Sequence, residues 1–226
     1  MLIYGKQPIY YLLDHAPQKI RTLYLAKELD KKEYSRLMRM GFEIKRIPAN
    51  AAQSMSKTGN HQGFLAEVDE IEPASLSSLS DKNFVVILSG MTDVGNIGAI
   101  VRSAYALGVD AIIVCGIRRL QLEPIVRSSS GALFDMPIVI QHNLYDVMND
   151  LKVAGFDHYG AVMDGTDVRE IAFTGKRSLI LGNEGEGIPG RAVRKLDFPV
   201  SIKMAHGFDS LNVSAAGAIL MDRMRL

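Results

Sequence analysis

The sequence predicts an α/β fold whose larger, C-terminal part is built on a parallel β-sheet. Short and almost continuously apolar runs recur along the chain, and helical patterns separate them. Strands of a parallel sheet have this uninterrupted apolar character because helices cover both of its faces. The chain of 226 residues has the length of one large domain or two small ones.

A smaller first domain that mixes helices and strands is predicted at residues 1–72. Its elements in chain order are a helix at 8–13, a strand at 22–26, a helix at 31–40, and strands at 42–47 and 63–68. Gly41 follows the second helix and suits a helix C-cap. The serine-rich segment 73–81 predicts a linker, because small polar residues with proline form flexible connections.

The second domain is predicted at residues 82–226. Six apolar runs predict its strands, at 84–88, 111–115, 137–140, 157–162, 178–181 and 198–202. Helices are predicted at 97–107, 122–129, 144–154 and from Leu211 onwards. The alternation predicts a parallel sheet, and ligands of such sheets bind at the carboxyl ends of the strands.

Composition narrows the class of protein. Hydrophobic residues make up 47% and charged residues 23%, as is typical of soluble globular proteins. The single cysteine, Cys115, lies in an apolar run, which indicates an unreactive strand residue and no internal disulfide. The sequence shows no signal peptide and no run of about 18 apolar residues, so we expect a cytoplasmic protein without a membrane span.

Charge is unevenly distributed, although the net charge is only +1. Residues 1–66 carry 11 Lys/Arg and 5 Asp/Glu, whereas residues 67–226 carry 15 and 20. A basic first module favours docking to a polyanion, and ordinary solvated surface charge is the alternative.

Two loops that follow predicted strands have the composition of ligand-binding loops. Residues 92–98 include Asn96 and lead into a helix that carries Arg102, although turn and capping chemistry explains the same pattern. Residues 182–190 contain four glycines, but in the wrong order for a dinucleotide fingerprint and without a P-loop lysine. Glu184 and Glu186 would repel a pyrophosphate, so a cationic or zwitterionic nucleoside suits this loop better than a phosphate.

The third polar segment comes just before the C-terminal apolar helix. Ser210 and Asn212 stand at the entrance of that helix, where a hydroxyl and an amide can cap backbone N–H groups or face a ligand. Metal binding is not predicted, because the five histidines have no paired spacing and there is no cysteine cluster.

Together these segments resemble the SpoU (TrmH) branch of the SPOUT RNA methyltransferases over residues 82–226. Three motifs carry the resemblance in the family's order, at 96–104, 181–187 and 202–213. One departure is Lys203, where the family usually has proline. This lysine either loosens the cofactor loop or reaches an RNA phosphate.

The first domain, with Tyr4-Gly5 near its start and His61-Gln-Gly63 near its end, resembles the RNA-docking domain of some family members. That domain is small, α/β and similar to a ribosomal protein. The two-domain architecture is similar to RlmB-like enzymes, which methylate a guanosine 2′-hydroxyl in 23S rRNA. TrmH relatives that modify tRNA generally lack the first domain.

The resemblance implies a trefoil knot that contains the S-adenosylmethionine (SAM) site, and a homodimer with its active site near the interface. By motif match, the catalytic residues are Arg102, Glu184, Asn96, Ser210 and Asn212. The implied cofactor-binding residues are Leu181, Gly182, Ile202, Met204 and Leu211. Arg102 is either the base or the group that stabilises the developing alkoxide, and Glu184 is either the proton acceptor or a partner that orients Arg102.

The implied activity is therefore SAM-dependent 2′-O-methylation of RNA, with ribosomal RNA as the partner. Two alternatives stay open: a tRNA 2′-O-methyltransferase of the same family, and a non-catalytic RNA-binding or ribosome-assembly protein of the same fold.

Overall fold

The computed structural model describes residues 1–57, 59–206 and 209–225. The chain divides into two compact units. Unit 1 comprises Met1–Glu72 and Gln121–Phe134, and unit 2 comprises Pro73–Leu120 and Asp135–Leu226. The segment 121–134, expected in the second domain, is thus grouped with the N-terminal residues.

Unit 1 contains a four-stranded sheet with four helices. The elements are β1 (Leu2–Tyr4), α1 (Lys6–His15), β2 (Ile20–Leu25), α2 (Lys31–Met38), β3 (Glu43–Arg46), α3 (Ala49–Met55), β4 (Phe64–Val68) and α5 (Leu122–Ser128). The strand order is β1-β4-β2-β3, in which only β2 and β3 pair in parallel. Ile9, Leu12, Leu23 and Phe64 are fully buried and form part of its core.

Unit 2 contains a six-stranded parallel sheet, as the apolar runs predict. Its elements are β5 (Phe84–Ser89), α4 (Val94–Ala106), β6 (Ala111–Cys115), β7 (Ile138–Gln141), α6 (Leu144–Val153), β8 (Asp157–Asp167), β9 (Arg177–Gly182), α7 (Gly190–Val193), β10 (Phe198–Ser201) and α8 (Val213–Met224). The strand order is β10-β8-β9-β5-β6-β7, and every neighbouring pair is parallel. All the residues of β5 and β6 are buried.

Burial explains why Cys115 is expected to be unreactive. The thiol is fully buried in β6, and burial raises its pKa to about 12. A thiol with such a pKa stays protonated at neutral pH and is a poor nucleophile. Within residues 73–81, Leu79 is buried and the Ala74 N–H donates to the Ile138 carbonyl.

Strand β8 is longer than the predicted 157–162 and contains an irregularity. Pro199 of β10 pairs with Gly160, but the next residue, Val200, pairs with Thr166. Residues 161–165 therefore lie opposite no residue of β10 and bulge at the carboxyl edge of the sheet. A Cβ atom at Gly165 would lie 2.5 Å from the Val200 carbonyl carbon, so the close approach of the two strands requires glycine there.

Candidate active site

Three polar side chains from distant parts of the sequence meet at the carboxyl edge of the unit 2 sheet. The Asn96 side-chain amide donates to Glu184 Oε1 over 3.0 Å. The Asn212 amide donates both to Asn96 Oδ1 and to Glu184 Oε1, each over 3.0 Å. We call these three residues the Asn-Glu-Asn cluster. Its members come from the three motifs, although 88 and 116 residues separate Asn96 from the other two.

Helix capping places the two asparagines. Asp93 is the N-cap of α4, and its carboxylate accepts the Asn96 backbone N–H over 2.6 Å. Asn212 is the N-cap of α8, where its Oδ1 accepts from the Ser214 N–H and hydroxyl over 2.9 and 2.6 Å. Because Asn212 Oδ1 is used in the cap, its Nδ2 is left to bind the other members of the cluster.

The loop at residues 183–187 holds Glu184 in place. Asn183 Oδ1 accepts the N–H groups of Gly185 and Glu186 over 3.0 and 2.7 Å, and Asn183 pairs with Gly187 in a β-bridge. Gly187 has a φ of 69°, which glycine adopts without strain. A small turn at the end of β9 therefore positions Glu184 beside Asn96 and Asn212.

A cavity of about 1250 Å³ adjoins the cluster and is lined by the ends of β8, β9 and β10 and the start of α8. Its walls include all five residues predicted to bind the cofactor, Leu181, Gly182, Ile202, Met204 and Leu211. Glu184, Ser210 and Asn212 also line it. The structure thus brings together eight of the ten predicted site residues along one cavity, and it joins Asn96 to them by hydrogen bonds.

The cavity is acidic. Its charged walls are Lys203 and the carboxylates Asp164, Asp167, Glu170, Glu184, Glu186 and Asp209. Hydrogen bonds from Arg169 hold the pKa of Asp167 at about 2, so this group is ionised at any physiological pH. An acidic wall attracts a cationic ligand and disfavours a phosphate, as the 182–190 sequence predicts.

The sequence motifs did not predict one wall of the cavity. This wall is formed by the bulge of β8 and the residues after it. Residues 161–167 and Glu170 line the cavity together with the predicted motifs. The signal was the polar run Asp164-Gly-Thr-Asp167, since polar residues at the carboxyl end of a parallel strand mark a ligand site.

Arg102 lies outside the cavity. It is exposed on α4, and it makes no hydrogen bond or ion pair within the part of the chain that the structure describes. Lys203 is also exposed but lines the cavity, where its charge contributes to lowering the Asp167 pKa. The departure from the family proline therefore places a cation at the cavity wall.

Two substitutions at Asn212 separate its capping role from its role in the cluster. We expect Asn212→Ser to keep the cap and change the free energy of unfolding by less than about 0.5 kcal/mol, whereas Asn212→Ala costs about 1 kcal/mol. Both remove the Nδ2 donor, so both are expected to lower kcat by about 100-fold. Urea unfolding and an assay of the RNA methylation that the motifs imply measure the two effects, and wild-type kcat in Asn212→Ser would show that the amide has no part in the reaction.

Residues 1–57, 59–206 and 209–225 contain no group of three or more His, Cys, Asp or Glu residues arranged to hold a metal ion. Nor does any helix within these ranges have the length and apolar character to cross a membrane.

The fold and the site define a class: an α/β protein with an acidic ligand cavity at the carboxyl edge of a parallel sheet. More narrowly, the chain belongs to the SpoU rRNA Methylase family, whose sequence model matches residues 83–222. Residues 2–74 match a second model, described as RNA 2′-O ribose methyltransferase substrate binding. Both matches confirm the predicted enzyme class, an RNA 2′-O-ribose methyltransferase.

Full-length relatives support the same assignment. The chain is 31% identical to the 23S rRNA (guanosine-2′-O-)-methyltransferase RlmB of Coxiella burnetii, over 97% of this chain and 92% of that protein. It is 30% identical to RlmB of Escherichia coli, over 97% and 96%. The structure of the SpoU methyltransferase AviRb from Streptomyces viridochromogenes, solved with AdoMet, is 28% identical with a TM-score of 0.81 and covers 99% of this chain and 88% of its own. These relatives confirm the resemblance and the SPOUT-type α/β fold with its N-terminal domain.

Proposed function

We propose that this protein transfers a methyl group from SAM to the 2′-oxygen of a guanosine in 23S rRNA. The observation that carries the proposal is the Asn-Glu-Asn cluster at the wall of the acidic cavity, because it places a carboxylate beside the cofactor space. The RlmB relatives, which match over nearly the whole chain, favour 23S rRNA as the substrate. The proposal places the protein in the cytoplasm, with its substrate.

The residues of the cavity fit SAM. When bound, SAM supplies a methyl group on a positively charged sulfur. Leu181, Ile202 and Leu211 offer apolar surface for the adenine, and the absence of a side chain at Gly182 lets the backbone of Gly187 and Ile188 pack against it at the cavity wall. The surrounding carboxylates stabilise the positive charges of the sulfonium and the amino group.

An alcohol must lose its proton as it attacks, so the site needs a proton acceptor. We assign this role to Glu184, whose carboxylate is oriented by the amides of Asn96 and Asn212. Arg102 stays protonated in a protein, and it therefore stabilises the developing negative charge or the adjacent phosphate. Ser210 faces the cavity and positions the ligands.

The proposal includes a homodimer, because Arg102 lies outside the cavity of its own chain. Helices α4 and α8 pack on each other, and they leave Tyr105 and Ile219 each 40% exposed. Apolar side chains of this size on adjacent helices favour an interface with a second copy. In such a dimer, Arg102 of one protomer reaches the cavity of its partner.

Unit 1 is proposed to bind the RNA. Its exposed β3 carries Lys45, within 6.0 Å of the Tyr24 ring centroid, and Arg46, 4.8 Å from the Tyr34 ring. Cations paired with aromatic rings offer both phosphate contacts and stacking surfaces to RNA. Two further cations of unit 1 have partners of their own: Lys19 donates to the Phe134 carbonyl, and Arg21 pairs with Asp69 as Lys45 pairs with Glu43.

Labelled SAM distinguishes the proposal from its alternatives. The purified protein is incubated separately with unmodified large-subunit rRNA and with tRNA, and labelled nucleotides are mapped. We expect label on a single guanosine ribose of the rRNA. Label on tRNA would favour the tRNA enzyme, and SAM binding without any transfer would favour the non-catalytic protein.

A further inference from the structure

A second cavity opens at the same edge of the unit 2 sheet, where β5, β6 and β7 end. It measures about 450 Å³, within the range of sites for small molecules. Its walls include Gly90, Gly116, His142 and Tyr145. The proposed cofactor site lies in the first cavity, not in this one.

The second cavity shares one wall with the cofactor cavity. Asn183, Glu186 and Gly187 line both spaces, so the loop that presents Glu184 separates them. A ligand in the second cavity would therefore lie across a single turn of chain from the proposed proton acceptor. This continuity indicates that its ligand takes part in the same reaction.

The side chains around the second cavity suit a nucleic acid base. Tyr145 is half-buried at its wall, and the Arg191 guanidinium lies 4.9 Å from the Tyr145 ring centroid. Aromatic rings and arginine guanidinium planes are the two surfaces on which proteins stack unpaired bases. Arg191 is exposed, so its outer face is open to a ligand.

The charges around this cavity differ from those of the cofactor cavity. Arg118 and Arg119 follow Gly116 in the same loop, are exposed, and make no ion pair within the described ranges. The lining itself carries one charged group, Glu186, and the three arginines adjoin it: Arg191 contacts the Tyr145 ring, and Arg118 and Arg119 come two and three residues after Gly116. The cofactor cavity has one cation and six carboxylates. The arginines adjoining the second cavity therefore favour a ligand whose anionic group extends beyond the cavity walls.

We propose that the second cavity binds a nucleotide of the substrate RNA, with its base stacked on Tyr145 and Arg191 and its phosphate near Arg118 and Arg119. This inference rests on the proposed function and adds the place where the RNA is held for reaction. The RNA nucleotide is drawn out of its stack, which is how enzymes gain access to a nucleotide they modify.

Steady-state methylation of unmodified large-subunit rRNA tests the cavity. Arg191→Met and Tyr145→Leu are each expected to raise the KM for RNA about tenfold, because each removes a stacking surface. The SAM dissociation constant is expected to stay within about twofold, and Tyr145→Phe is expected to retain the wild-type KM. Arg194→Met is the matched control, since Arg194 is an exposed arginine three residues further along that does not lie over the Tyr145 ring.

Tyr145 packs against the core, so Tyr145→Leu could impair folding. Arg191 is exposed, and Arg191→Met therefore tests the inference independently of Tyr145→Leu. Equal KM values for Arg191→Met and Arg194→Met would overturn the inference.

Guanosine 5′-monophosphate separates this inference from the proposed function. If the wild-type protein transfers no methyl to rRNA, the proposed function fails, but NMR titration with this nucleotide still judges the cavity. We expect shifts at Gly116, Tyr145 and Arg191 that are lost in Arg191→Met. Shifts confined to other residues, or none, would overturn the nucleotide site even in an active enzyme.

Discussion

Replacing Arg102 with alanine is expected to lower kcat by about 100- to 1,000-fold and to leave the SAM dissociation constant within about twofold of wild type. The reason is the separation of Arg102 from the cofactor cavity: none of the cavity walls includes it. Steady-state methylation and calorimetric SAM titration measure the two quantities. A large loss of SAM affinity would show that Arg102 supports the cofactor site instead of the reacting RNA.

Purified mixed dimers test whether Arg102 serves the cavity of its own protomer or that of the partner. One protomer carries Arg102→Ala and the other carries Asn212→Ser, with different affinity tags for purification. If Arg102 serves the partner's cavity, one of the two sites is complete, and about half of wild-type activity is expected. If it serves its own cavity, each site lacks one essential group, and the mixed dimer is as inactive as either parent.

Replacing Gly182 with alanine is expected to have the largest structural effect in the cofactor cavity. A Cβ atom at this position would lie 2.0 Å from the Gly187 carbonyl carbon and 2.3 Å from the Ile188 nitrogen. Both are backbone atoms, so the 183–187 loop must move as a whole. We expect a loss of about 2–3 kcal/mol in the free energy of unfolding, and at least about 30-fold weaker SAM binding.

The matched control for this substitution is Gly190→Ala. Gly190 begins α7, and a Cβ atom there would have no neighbour within 4 Å. Its alanine variant is expected to keep wild-type stability and SAM affinity. Similar effects of the two alanines in urea unfolding and SAM titration would show that the close approach at Gly182 does not shape the cavity.

Much of unit 2 was predictable because most of its strands are continuous apolar runs. The predicted run 111–115 matches β6, whereas 157–162 stops short of Asp167 because the end of β8 is polar. In unit 1, the three-residue β1 and the helix α3 were missed. A strand of three residues has too few alternations to show a period, and α3 is mostly small and polar.

The Asn-Glu-Asn cluster was predictable from motif order, because parallel strands bring their carboxyl ends together. The hydrogen bonds within it were not, since they depend on Asn212 using one side-chain atom as a cap and the other as a donor. Nor did the sequence locate Arg102 relative to the cavity. That position depends on which face of α4 packs inward, and Ile97, Ile100 and Val101 take the buried face.

The loop at 183–187 forms a wall of two cavities, and this has a thermodynamic consequence. Any shift of Asn183, Glu186 or Gly187 that accompanies binding on one side alters the space on the other. By linkage, the factor by which SAM changes the affinity for the nucleotide must equal the factor by which the nucleotide changes the affinity for SAM. The turn after β9 thus couples the two binding sites. The order in which SAM and the nucleotide bind affects the rates, but the total free energy of binding both ligands is the same for either order.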